Sequence, residues 1–94
     1  MPARRLTARQ AQTIIDAAVL VKAPTWSETR AWHVMSGSLL LVIVTPSYGG
    51  TGSSGRNGWA WRLPNHAARS TRPEPTREKA AIAGLGAWQR QATS

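Results

Sequence analysis

The chain of 94 residues contains no cysteine and no phenylalanine, and only four of its residues are acidic. The absence of cysteine excludes disulfide bonds, thiolate metal sites and cysteine nucleophiles, and it agrees with the cytoplasmic location that we expect. Four carboxylates and two histidines offer little from which to build a metal centre or an acid–base pair. We therefore expect no catalytic residues, no metal site and no cofactor, and a protein that is not an enzyme.

Long apolar runs are also absent. The strongest one, Leu39–Val44, has six residues, whereas a helix needs about 20 to span a bilayer. Near the N-terminus, Gln10, Gln12 and Asp16 interrupt any apolar core of a signal peptide. We therefore expect no membrane partner.

Positive charge is what the sequence has in excess. Twelve lysine and arginine residues oppose the four acids, which gives a formal net charge of +8, and ten of the twelve are arginine. A strongly basic protein attracts polyanions, of which nucleic acid is the most common in a cell. Arginine suits bidentate contacts with phosphate and guanine better than lysine does, but a GC-rich genome produces the same arginine bias.

The cations form two groups along the chain. One consists of Arg4, Arg5 and Arg9 near the N-terminus, where residues 1–6 are expected to be a flexible basic arm. The other lies between Arg56 and Lys79, where only Glu74 and Glu78 oppose it, so its field does not cancel. We predict phosphate contacts by eight residues, namely Arg56, Arg62, Arg69, Arg72, Arg77, Lys79, Arg4 and Arg5.

Hydrophobic periodicity predicts two helices with strands between them. The first helix is expected over Thr7–Lys22, begun by a capping box, and the second from Thr76 to about Gln91. Three strands are predicted, at Arg30–Met35, Ser38–Thr45 and Trp59–Leu63. This order gives an α+β fold in one domain over residues 1–94, with a small three-stranded antiparallel sheet, flanked by two helices on one face, in the order α-β-β-β-α.

Two connections and one strand carry further expectations. Pro46–Gly58 holds five glycines in thirteen residues and is predicted to be a loop. Its Gly50–Gly55 segment matches G-x-G-x-x-G, but a strand rather than a helix is expected to follow, so we interpret it as a strand connection. Residues 64–75, with three prolines, are expected to be irregular. The unbroken run Leu39–Val44 is typical of a strand covered on both faces, and a homodimer is one explanation for the second cover.

The five tryptophans divide into two kinds. Trp59 and Trp61 alternate on the same strand face as Leu63, which indicates core packing. Trp26 and Trp32 lie close to an arginine, so we predict that they stack on bases or belong to a protein interface.

Two families share parts of this pattern. Double-stranded-RNA-binding domains have the same α-β-β-β-α order, and Thr76–Ala81 is similar to the basic start of their last helix. Trp59–Trp88 resembles the arm-binding domains of phage integrases, which have three strands and one helix. Each similarity covers a third of the chain at most, and neither identifies a family.

Two functional hypotheses follow. The first is a small basic nucleic-acid-binding protein that contacts mainly the phosphate backbone through arginine, on DNA rather than RNA. The alternative is a small interaction, inhibitor or assembly protein of phage or plasmid type, which binds an acidic partner. In that case the charge would speed association rather than provide specificity.

Overall fold

The computed structural model describes residues 5–47 and 58–94. In chain order its elements are α1 (Ala8–Asp16), β1 (Val19–Lys22), α2 (Trp26–Thr29), β2 (Trp32–Ser36), β3 (Leu39–Ser47), β4 (Gly58–Arg62) and α3 (Arg77–Thr93). The strands form one antiparallel sheet in the order β1-β2-β3-β4. The α+β class with an antiparallel sheet is confirmed, whereas the prediction of three strands in the order α-β-β-β-α is wrong.

The difference arises in the first predicted helix. It begins as expected, because the Thr7 hydroxyl accepts a hydrogen bond from the Gln10 N–H and the Gln10 side chain accepts one from the Thr7 N–H. However, the helix ends at Asp16 rather than Lys22, and residues 19–22 pair with β2 instead. Valine favours strands, and β2 offers a partner that local periodicity does not reveal.

The second predicted helix is close to the observed α3. Thr76 precedes its first residue, and the Thr76 hydroxyl accepts a hydrogen bond of 3.1 Å from the Lys79 N–H. This cap satisfies one of the free N–H groups at the helix start. The helix continues to Thr93, two residues beyond the predicted end.

The loop predicted at Pro46–Gly58 is shorter at both ends, because β3 extends through Ser47 and β4 begins at Gly58. The remainder, which includes the Gly50–Gly55 segment, lies outside the described residues.

The connection at 64–75 was expected to be irregular, but it returns along the outer edge of β4. There Arg69 pairs with Arg62, and Glu74 pairs with Trp59, as isolated antiparallel bridges.

Both long helices lie on one face of the sheet, as expected. α3 packs across β3 and β4, and α1 packs against α3. The core joins Val34 and Val44 of the sheet to Ala80 and Ala81 of α3. Gly84 brings α3 close to the sheet, since a Cβ atom at this position would overlap the side chain of Val42. Removal of this apolar surface from water stabilises the fold.

The tryptophan strand β4 belongs to this core. Trp59 and Leu63 are buried in it, and Trp61 packs against it. The prediction of core packing for these residues is confirmed.

The apolar run in β3 is not covered on both faces by the described elements. The register between β2 and β3 shifts at Val34/Met35, so that Leu41 is an extra residue in β3. Leu41 and the next residue, Val42, are both fully buried. A bulge of this kind allows two consecutive side chains to enter one core, which explains the run without a second cover. Ile43 lies on the opposite face of the sheet from Val42 and is half-buried.

Leu6 anchors the start of the described chain to α3. The Leu6 N–H donates a hydrogen bond of 2.8 Å to the Ala92 carbonyl, at the last turn of α3. Arg5 is therefore held at the C-terminal end of α3, while Arg4 lies outside the described residues.

Candidate anion-binding site

A row of side chains crosses the sheet face that the helices leave uncovered, which we call the open face. In the strand register, Val21, His33, Ile43 and Arg62 are successive neighbours on β1 to β4, and Arg69 continues the row beyond β4. Residues opposite each other in a ladder project to the same face. The row is therefore apolar at the β1 edge and cationic at the β4 edge.

Arg62 and Arg69 face each other at the position where side chains of an antiparallel pair are closest. Their own backbone groups do not bond to one another. Two bonds of 2.8 and 2.9 Å flank the pair instead, from Ser70 N–H to the Trp61 carbonyl and from Leu63 N–H to the Ala68 carbonyl. In such a non-hydrogen-bonded pair the Cα atoms are about 4.5 Å apart. Two like charges at this position destabilise the sheet.

The two arginines line an open cleft of about 540 Å³ at the β4 edge, which we call the arginine cleft. Ser70 also lines it, and its hydroxyl oxygen accepts the Trp61 N–H at 3.1 Å, so that its own proton remains available to donate. None of the described residues that line this cleft is acidic. The remaining lining residues are Thr45, Ala60, Trp61 and Thr71. Such a set of donors suits an anion with several oxygen acceptors, such as phosphate.

Two of the four acidic residues are engaged elsewhere. Asp16 accepts a hydrogen bond of 2.8 Å from Gln12 within α1. In the described part of the chain one ion pair forms, between Arg77 Nε and Glu78 Oε2 at 3.1 Å. No described carboxylate forms an ion pair with Arg62 or Arg69.

His33 shares the row with Arg62. Burial lowers the pKa of His33 below its ordinary value of 6.5, and the positive charge of Arg62 lowers it further. The imidazole is therefore neutral at pH 7. An anion on Arg62 would weaken the second of these effects.

The predicted Trp26 and Trp32 lie in a second cationic group, which we call the tryptophan cluster and which consists of Lys22, Trp26, Arg30, Trp32 and Arg77. Lys22 Nζ is 4.1 Å and Arg30 Cζ 4.4 Å from the centroid of the Trp26 ring. Arg77 Cζ is 4.1 Å from the centroid of the Trp32 ring. The two rings meet edge to face, with centroids 6.5 Å apart and planes at 84°.

Local backbone geometry assembles this cluster. The Arg30 N–H donates to the Trp26 carbonyl at 2.8 Å, which closes α2, and Arg30 itself has a φ of 59°. Few non-glycine residues adopt this left-handed conformation. Lys22 lies opposite Trp32 in the register of β1 and β2. Lys22 and Arg30 were not among the predicted site residues, and the contact of Lys22 with Trp26 depends on strand β1, which no short stretch of sequence reveals.

The predicted cations do not converge on one patch. Arg62 and Arg69 meet in the arginine cleft, and Arg77 joins the tryptophan cluster. Arg5 and Arg77 lie at opposite ends of α3, whose 17 residues span about 25 Å. Arg72 and Lys79 are exposed. Arg56, like Arg4, lies outside the described residues.

No family model, no curated protein and no solved structure matches this chain. Within residues 5–47 and 58–94, no three histidine or acidic side chains lie together in a way that could hold a metal ion. No helix in the same ranges combines the length and the apolar character required to cross a membrane. The two cationic groups, the arginine cleft and the tryptophan cluster, are therefore the features from which a ligand can be inferred.

Proposed function

We propose that this chain is a nucleic-acid-binding protein that contacts phosphate groups through Arg62 and Arg69 in the arginine cleft. The observation that supports this most strongly is the direct cross-strand opposition of two arginines, with no acidic residue among the described residues that line the cleft. Repulsion in such a pair lowers stability in the free protein, whereas a phosphate between the guanidinium groups can accept hydrogen bonds from both. We also propose that the nucleic acid is DNA rather than RNA and that the protein is located in the cytoplasm.

The open face favours contact with the nucleic-acid backbone over stacking on bases. Its row consists of Val21, His33, Ile43, Arg62 and Arg69, and none of the five tryptophans is part of it. Trp61 lines the cleft, but it packs against the core on the covered side. Proteins that grip single strands present exposed aromatic rings on which bases stack. We therefore expect a duplex to bind at least as tightly as a single strand of the same length.

The proposal is tested by the salt dependence of binding to a labelled mixed-sequence DNA duplex, measured by fluorescence anisotropy. Each phosphate contact contributes about 0.9 to the slope of log affinity against log salt. The R62Q/R69Q variant should therefore lower the slope by about 1.8. The matched control is R9Q/R90Q, which removes the same charge from exposed positions on the two helices and should change the slope less.

Two results would contradict the proposal. One is a wild-type protein that binds neither DNA nor RNA at low salt. The other is an equal loss in R62Q/R69Q and in R9Q/R90Q, since that would reveal an effect of net charge without a defined site. Thermal melting provides the folding control: R62Q/R69Q should melt at or above the wild-type temperature, because the substitution relieves the repulsion between two like charges.

A second candidate function is supported by an apolar groove between α1, β1 and α3. Val19 and Ile82 line it and are 56% and 69% exposed, respectively. Exposed apolar surface of this kind is typical of protein interfaces, and the charge of +8 would attract an acidic partner. The chain would then be an interaction or assembly protein of the phage or plasmid type, or a homodimer.

The groove is tested by the V19S/I82S variant. Should it form an interface between two copies, light scattering would give a dimer mass for the wild type and a monomer mass for the variant, with DNA binding unchanged. A wild-type monomer at every concentration would rule out the homodimer.

A further inference from the structure

We infer that Lys22, Arg30 and Arg77, positioned by Trp26 and Trp32, form a second phosphate-binding surface. This inference rests on the proposed function, because the phosphates would belong to nucleic acid. It assigns a role to the tryptophan cluster that differs from base stacking: the cations contact the ligand, and the rings hold the cations.

The cation–ring contacts fix the position of the charges while leaving their donors available. Lys22 and Arg30 lie 4.1 and 4.4 Å from the centroid of the Trp26 ring, and no described residue accepts a hydrogen bond from either side chain. A cation on a ring face is held by attraction to the π electrons rather than by an N–H hydrogen bond. The ammonium and guanidinium donors therefore remain available for phosphate oxygens, and positioning reduces the entropy lost on binding.

Only one of the three cations of the cluster is in an ion pair with a described acid, since Arg77 Nε lies 3.1 Å from Glu78 Oε2. Glu28 and Glu74 are also close to these cations in the sequence, but neither forms an ion pair with a described cation. The charges of Lys22 and Arg30 are therefore not paired with a described carboxylate. Arg30, moreover, maintains a left-handed backbone with a φ of 59°. Such conformations are unfavourable for residues with a side chain and persist where the surrounding structure imposes them.

The rings themselves are poorly placed to stack on bases. Two cations lie over the Trp26 ring, and its Nε1 is buried without a hydrogen-bond partner among the described residues. Arg77 lies over the Trp32 ring, and Trp26 meets this ring edge to face. A base that stacked on the occupied face of either ring would have to displace a cation, so at these faces the charged groups are the parts that a nucleic acid would meet first.

The tryptophan cluster and the arginine cleft are separate surfaces. Lys22 is in β1 and Arg62 in β4, at opposite edges of the sheet and three strand spacings apart. With about 4.8 Å per spacing, the separation across the sheet is about 14 Å. In the strand register, Lys22 lies beside Trp32 and Val44 on the helix-covered side, whereas Arg62 is on the open face. The cluster would therefore engage phosphates other than those in the cleft.

The experiment measures the binding that remains after the cleft has been removed. In the R62Q/R69Q protein we expect residual affinity for the labelled DNA duplex at low salt. Adding K22Q/R30Q should lower the salt slope of this residual binding by about 1.8, which corresponds to two phosphate contacts. Adding R9Q/R90Q to the same background is the charge-matched control and should leave most of the residual slope intact. Circular dichroism establishes that each variant is folded.

A second measurement uses the rings as reporters. Duplex binding should change the tryptophan emission of the R62Q/R69Q protein, and W26F in that background should remove most of the change while retaining a ring under the cations. The inference is overturned if R62Q/R69Q has no residual binding, or if K22Q/R30Q and R9Q/R90Q reduce that binding equally. The proposed function survives both results. A wild-type protein that binds no nucleic acid contradicts the proposed function, and this inference with it.

Discussion

The two faces of the sheet differ in what explains their residues. The helix-covered face holds Val34, Val42 and Val44 with Trp59 and is closed by the alanines and Gly84 of α3. The open face carries Ile43 and His33, half-buried, and ends in the exposed pair Arg62 and Arg69. On the helix-covered face, apolar burial and close packing explain each of these core residues.

On the open face, stability does not explain the residues at the β4 edge. A cross-strand pair of arginines opposes folding, and the described residues around it supply no carboxylate to offset the repulsion. The comparison teaches that the buried core on the covered face accounts for the fold, whereas the arginine pair at the β4 edge of the open face has no explanation in stability.

A polar group introduced at matched positions should separate the two faces most strongly. Val44 is 0% and Val21 39% exposed. Val44→Thr buries a hydroxyl among apolar side chains and should lower the free energy of unfolding by about 1–3 kcal/mol. Val21→Thr should change it by less than about 0.5 kcal/mol, because the hydroxyl remains hydrated and threonine suits a strand.

Urea unfolding of both variants measures the difference. Similar losses of unfolding free energy in the two variants would contradict the difference between the two faces, because they would mean that Val21 is covered in solution. In that case a second copy of the chain on the open face would have to be considered.

A smaller effect is expected from the two glycines of α3. The Cβ of Gly84→Ala would overlap a methyl group of Val42, whereas the Cβ of Gly86→Ala would meet, among the described side chains, only Arg90 Nη1, at 3.6 Å. Over-packing costs about 1–3 kcal/mol, offset by up to about 1 kcal/mol of gained helix propensity. Gly84→Ala should therefore lower the melting temperature, and Gly86→Ala should leave it unchanged or raise it.

Thermal unfolding of the pair shows whether α3 lies as close to the sheet as described. If Gly84→Ala were as stable as Gly86→Ala, the contact between Gly84 and Val42 would be looser than described. The packing between α3 and the sheet would then not be tight on the helix-covered face.

The smallest effect concerns pH and His33 on the open face. The pKa of His33 is lowered in the folded protein, chiefly by burial and then by Arg62, so the unfolded chain binds more protons between that lowered pKa and 6.5. The stability contribution is therefore complete above pH 6.5. It is lost as the pH falls from there through the folded pKa.

The loss is measured as the free energy of unfolding at successive pH values, in the wild type and in H33Q. The wild type should lose more stability than H33Q as the pH falls below 6.5. The R62Q variant should lose nearly as much stability as the wild type as the pH falls below 6.5, because burial is the larger cause of the lowered pKa of His33. Identical pH profiles of the wild type and H33Q would contradict the burial of His33 on the open face.

Prediction from the sequence succeeded where local signals decide the outcome. The capping box at Thr7, the start of a helix at Thr76 and the tryptophan alternation in β4 are each readable from a few neighbouring residues. It failed at residues 19–22, where a helical pattern competed with pairing to β2. Such pairing depends on residues distant in the chain, so no short window contains it.

The candidate site was predictable in part. The arginine-rich region and the two tryptophans near Arg30 were visible as composition. The opposition of Arg62 and Arg69 depends on the return of residues 69–74 along β4 in a segment that was expected to be irregular. The role of Lys22 depends on β1, which the sequence pattern assigned to a helix, so its approach to Trp26 was not expected.

By itself the sequence determined the positive charge, the α+β class and the membership of Trp59 and Trp61 in the core, because these depend on composition and on local periodicity. Only the tertiary structure decided which cations meet. Strand register set Arg62 against Arg69, and a left-handed turn brought Arg30 to Trp26. The physical reason is that charge is a sum over residues, whereas a binding surface requires residues from separate strands and turns to be brought together by the fold.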